Sequence, residues 1–148
     1  SMSTQSQYTD IFQSEMVDSA TVDGLFLAIY ENGLLYVKVP RYFSIDIEVF
    51  LNCQKYIRTH GEDKRYHFIF EFSSFSEVDP ELRKKRATTD GTEFSLSDAL
   101  VISNLPQKMM GDFYLKFNKP VRPTKFFYSL EKAVEWSLRQ QEKSIHSK

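Results

Sequence analysis

Cysteine is almost missing from this chain: Cys53 stands alone among 148 residues. One cysteine excludes an internal disulfide, and a lone thiol fits a reducing compartment. Glycine and proline are scarce as well, five of each. So few glycines leave no room for a phosphate-cradling glycine-rich loop. The three histidines, His60, His67 and His146, include no pair four apart, and no second cysteine is present to complete a zinc site. No metal and no cofactor is expected. Charge of either sign is not in excess: the formal net charge is -1. That leaves no broad basic field for nucleic acid or for an anionic membrane surface. No apolar run approaches the roughly 18–20 residues of a membrane span. No charged-then-apolar leader opens the chain, so the expected location is cytoplasmic. Ser1-Met2 reads as a cloning remnant ahead of the native start.

What is abundant is the aromatic ring. Phe occurs 13 times and aromatics make up 15% of the chain. An interior filled by rings follows, with pockets lined by them. The length suits one domain. The expected division is an N-terminal arm over 1–20, a single domain over 21–140 and a polar tail over 141–148. Residues 3–20 read either as a frayed arm or as a short edge strand.

Leu25 to Tyr30 and Leu34 to Val39 are apolar runs around Glu31-Asn32-Gly33. Asn-Gly between such runs predicts a hairpin closed by a type I′ turn. Ser44 is the expected cap of a helix whose face is Val49, Phe50, Cys53, Tyr56 and Ile57, and Gly61 its left-handed terminator. His67 to Phe72 reads as an interior strand, with Phe68, Phe70 and Phe72 on one side and His67, Ile69 and Glu71 on the other. Asp79-Pro80-Glu81 starts a short basic helix ending in Arg83-Lys84-Lys85-Arg86. Thr88 to Ser97, with Asp90-Gly91, reads as a loop. Asp98 to Phe127 then reads as strand, helix, strand: an apolar run to Ile102, a helix start at Asn104-Leu105-Pro106, and a second run at Phe126. This is a βαβ unit. Ser129 caps a last helix lined by Leu130, Ala133, Val134 and Leu138, and the residues from Gln140 on are expected to fray. The order is ββαβαβαβα: an α/β fold with one mixed, mostly parallel sheet and an N-terminal β-hairpin.

The hairpin ENGLLYVKVP (31–40), the segment FIFEFSSFSEVDPELRKKR (68–86) and above all ALVISNLPQKMMGDFYLKFNKPVRPTKFFYSLEKAVEW (99–136) carry a resemblance. The chain resembles the bacterial STAS/SEC14-like domains of SpoIIAA type, the anti-sigma-factor-antagonist-like family. The resemblance implies a STAS-like fold and a non-enzymatic regulatory module that docks a protein partner. In that family a Ser at the start of the helix after the third strand is often phosphorylated. Asp79 stands near that position here, and the Ser-Gly pair of the motif is absent. The partner surface implied is Ser76, Glu77, Asp79 and Arg83. Some SEC14-like relatives are suspected of holding apolar ligands. The alternative function is therefore a carrier or sensor of a small apolar molecule, in a pocket among Phe50, Phe68, Phe70, Phe113 and Phe117.

Each sharper reading has a plainer one beside it. Asp79 is either a permanent acid in place of a phosphate or a helix cap accepting a backbone N–H. Glu71 is either a shifted acid at a strand end or a carboxylate that faces solvent at the rim or pairs with a base such as Arg83. The run 83–86 is either a grip for an acidic partner or a solvated helix face. Cys53 is a small core residue. Met109 and Met110 are core filling unless exposed with Phe113, when they mark a partner patch. The outer strand of the hairpin is an edge at which two copies could pair, so a homodimer is also expected.

Overall fold

The computed structural model describes residues 2–88 and 94–146, with side chains over 7–88 and 94–143. The elements are α1 (Met2–Phe12), β1 (Met16–Val22), β2 (Leu25–Tyr30), β3 (Leu34–Val39), β4 (Ser44–Ile45), α2 (Ile47–His60), β5 (Tyr66–Phe72), β6 (Glu77–Val78), α3 (Pro80–Ala87), β7 (Ser95–Val101), α4 (Leu105–Phe113), β8 (Thr124–Phe127) and α5 (Leu130–His146). A π-helical turn, Tyr114–Asn118, continues α4. Six strands form one mixed sheet in the order β1-β2-β3-β5-β7-β8. The first three pair antiparallel and the rest parallel. From β2 onward this is the expected ββαβαβαβα order, with the two-residue strands β4 and β6 added.

Each parallel strand is laid down on the same side of the one before. Right-handed crossovers then put α2, α3 and α4 on one face of the sheet. The buried side chains divide accordingly. Leu27, Val37, Phe68 and Phe72 meet Phe50 and Ile57 of α2 and Leu82 of α3 on one face. Tyr36, Ile69 and Ala99 meet Phe12 of α1 and Leu130, Ala133 and Val134 of α5 on the other. The alternation read in β5 holds, because a strand covered on both faces must be apolar on both.

Several local expectations are corrected. Residues 16–22 are an edge strand, and the residues before them form a helix whose Phe12 is fully buried against Tyr30 and Tyr36. No helical periodicity announced α1, since ring packing rather than propensity holds it. The β2–β3 connection is a three-residue loop with only Gly33 at positive φ, not a two-residue type I′ turn. Asp46, not Ser44, caps α2, accepting from Val49 N at 2.9 Å. Gly61 has φ -93, so it is no left-handed terminator. Its hydrogen is needed because a Cβ would stand 2.5 Å from the Ile57 backbone oxygen and 3.2 Å from the Tyr66 ring. The residues after Gln140 do not fray at once: α5 runs to His146, and Gln141 Nε2 donates to Asn32 O at 2.6 Å. Residues 89–93 of the expected 88–97 loop lie outside the described residues, and Ser95–Ser97 belong to β7.

Candidate ligand-binding site

The aromatic face of β5 is not fully covered. Between the sheet and α2, α3 and α4 lies a cavity of about 780 Å³. That volume is in the range of small-molecule sites, about 300–1,000 Å³. Phe68 and Phe70 form its floor with Leu27, Val37 and Leu100, and Phe50, Cys53 and Ile57 of α2 form one wall. The opposite wall is Met110, Gly111 and Tyr114. At the carboxyl ends of β5 and β7, where open α/β sheets place their sites, Phe75, Ser76, Glu77, Asn104 and Gln107 surround it. The small β4–β6 pair spans this end, joined by Glu77 N to Phe43 O and Asp79 N to Ile45 O, both 2.9 Å. Of α3, Leu82, Arg83 and Arg86 line the cavity.

The two arginines are three apart and so on one helix face. Arg86 lies over the rings of Phe68, Phe70 and Phe50, with its Cζ 4.8 Å, 5.3 Å and 5.8 Å from the centroids. Its Nη2 donates to Asp98 Oδ1 at 2.8 Å. Asp98 also accepts from Ser95 Oγ at 2.7 Å, and its second oxygen accepts from Arg122. Burial alone would raise the Asp98 carboxyl, but the charges of Arg86 and Arg122 outweigh it and hold the group below the usual carboxylate range. Tyr114, 6% exposed, ends beside this group, and its hydroxyl proton has no acceptor. Burial first and the Asp98 charge second raise its pKa, so it remains protonated. Arg83 donates through Nη1 to Val78 O at 2.5 Å, while its buried Nε has no partner.

The residues singled out in the sequence separate. Phe68 and Phe70 line the cavity, as does Phe50. Phe113 and Phe117 do not. They are 46% and 61% exposed, with their tilted rings 4.6 Å apart on the outer side of the helix, and the wall is supplied by their neighbours Met110, Gly111 and Tyr114. Met109 and Met110 are likewise exposed, not core. Ser76 is 6% exposed and its hydroxyl donates to Ser73 O at 2.5 Å, so it presents nothing to a partner surface. Glu77 is exposed at the cavity end. Asp79 occupies the N-cap position of α3 but makes no side-chain cap bond; its Oδ1 accepts from Ser44 Oγ at 3.4 Å. Glu71 does not meet Arg83, since alternation sends it to the opposite face, where it takes the Tyr36 hydroxyl and Lys38. The run 83–86 is not one solvated face.

Asp98, Tyr114, Arg122 and Gln54, which also lines the cavity, went unrecognised in the sequence, and Arg86 was read only as part of the run 83–86. A signal existed for two of these roles: Asp98 is a carboxylate inside an interior strand, and Arg86 repeats Arg83 at helical spacing. Among the described residues no group of three or more His, Cys, Asp or Glu converges as a metal site, and no helix is long and apolar enough to cross a membrane. No curated protein and no solved structure matches the chain. Residues 28–141, most of its length, match the family described as a domain of unknown function (DUF7793), and the chain belongs to that family.

Proposed function

We propose that this domain is a non-enzymatic carrier or sensor of a small apolar ligand held between the sheet and helices α2–α4. The observation that carries the reading is the cavity of about 780 Å³ floored by Phe68 and Phe70. Ring-rich cores normally close-pack, and a half-open apolar pocket of this size leaves rings without dispersion contacts that a ligand would restore. The resemblance to SEC14-like domains supports the same reading. The test uses the neutral fluorophore N-phenyl-1-naphthylamine. Saturable binding at one site per chain is expected, and its loss in Leu100→Trp, which fills the floor. A wild-type protein that gives no saturable signal overturns the reading.

A second reading is a cytoplasmic STAS-like regulatory module that docks a protein partner. It is favoured by the apolar stripe Leu105, Met109, Phe113 and Phe117, exposed at successive turns of α4 and its π-helical extension. Tyr42 and Phe75 add an exposed stacked pair at 5.0 Å, both at positive φ. Bulky residues pay for that backbone conformation only where something holds them in it. Homodimerisation is one form of such docking. Light scattering of the wild type and of Met109→Glu tests it: a dimer that becomes monomeric supports self-association, and two monomers remove it.

A further inference from the structure

Charge in the cavity wall goes beyond what an apolar ligand needs. Arg83 lines the cavity at the carboxyl end of the sheet, in the first turn of α3. It forms no ion pair among the described residues, and its one bond is the Nη1 donation to Val78 O. The carboxylates around it are placed elsewhere. Asp98 is held by Arg86 and Arg122, Asp79 accepts from Ser44, and Glu77 reaches the cavity end but does not pair with Arg83. A buried guanidinium N–H without an acceptor is costly, so an acceptor belongs there. Tyr114 presents a second buried, unpartnered donor in the opposite wall. The rest of the wall is mostly aromatic or aliphatic; its polar members include Arg86, which is already paired with Asp98, and Gln54, Asn104 and Gln107.

We propose that the ligand is a monoanionic amphiphile, a carboxylate on a long-chain or aromatic body. Its head is taken by Arg83 at the carboxyl end of the sheet, and its body lies along Phe68 and Phe70 toward Ile57. This rests on the cavity being a ligand site, as proposed above. A carboxylate suits the site better than a phosphate dianion, because one guanidinium with an arm already given to Val78 offers few donors.

Calorimetry with dodecanoate, dodecyl phosphate and dodecanol at about pH 8, where the fatty acid is ionised, tests it. Dodecanoate is expected to bind about tenfold or more tighter than dodecanol, the least that a hydrogen bond to a charged group contributes. Arg83→Gln should bring the two affinities together while leaving the near-ultraviolet circular dichroism unchanged. Arg83→Lys, which keeps a point charge, should restore part of the preference. Equal binding of acid and alcohol by the wild type, or a preference that survives in Arg83→Gln, overturns the head-group assignment and leaves the apolar-ligand reading standing. Tighter binding of dodecyl phosphate overturns the carboxylate. If dodecanol and the neutral fluorophore also fail to bind, the ligand reading itself falls.

Discussion

Gly111 of α4 rests directly on the ring of Phe126 in β8: a Cβ at position 111 would stand 2.7 Å from Cε1 and 2.9 Å from Cδ1. This contact seats the wall helix over the edge of the sheet and sets the cavity's width. Ala in place of a helical Gly ordinarily stabilises by about 1 kcal/mol. Here the added methyl meets a partly buried ring, and overpacking costs about 1–3 kcal/mol. Gly111→Ala is therefore expected to lower the urea midpoint. A raised midpoint would mean that the ring can move away.

Asp98→Asn is expected to destabilise strongly. It keeps the size of the side chain but leaves the buried guanidinium groups of Arg86 and Arg122 without their carboxylate. Breaking a buried ion pair from one side costs about 3–5 kcal/mol. The Asp98 pKa is lower in the folded than in the unfolded chain, so its contribution is present above about pH 4 and is lost as pH falls through the folded value. Urea denaturation at neutral and acid pH should show the gap between wild type and variant narrowing below about pH 4.

His67 is buried at the other face, its Nδ1 2.7 Å from Ser97 Oγ. Burial lowers its pKa, so the folded chain keeps the ring neutral where the unfolded chain protonates it. Below about pH 6.5 the unfolded state binds the extra proton, and stability should fall with pH at up to about 1.4 kcal/mol per unit until the folded value is reached. Urea midpoints between about pH 8 and 5 should lose this slope in His67→Gln. An unchanged slope would place the acid sensitivity elsewhere.

Cys53 lines the cavity, and burial, followed by the Asp23 charge, pushes its thiol up to about 12. Alkylation needs the thiolate, so at mildly alkaline pH it should run about a thousandfold slower than for a free thiol. Mass spectrometry of iodoacetamide-treated protein follows it. Reaction at the rate of a free cysteine would show the α2 wall opening readily to water.

The alternation in β5, the Asn104 cap of α4, accepting from Gln107 N at 3.0 Å, and the apolar face of α5 were all legible in the sequence. They depend on neighbours a few residues apart, where periodicity and capping chemistry act. The sequence of strands and helices from β2 on was legible for the same reason. What lay between elements was not. Met109, Phe113 and Phe117 have core spacing yet face outward, because helical period shows that a stripe exists and not which way it turns. Arg83 and Arg86 read as solvated charge, yet Arg83 lines the cavity and Arg86 reaches rings and a carboxylate on strands 12 or more residues away. Asp98 finds Arg122 across 24 residues. The empty space over Phe68 and Phe70 belongs to no residue. It is the distance left between a sheet and three helices after Arg86, Gly111 and Tyr114 have taken their places, and only the tertiary structure sets that distance.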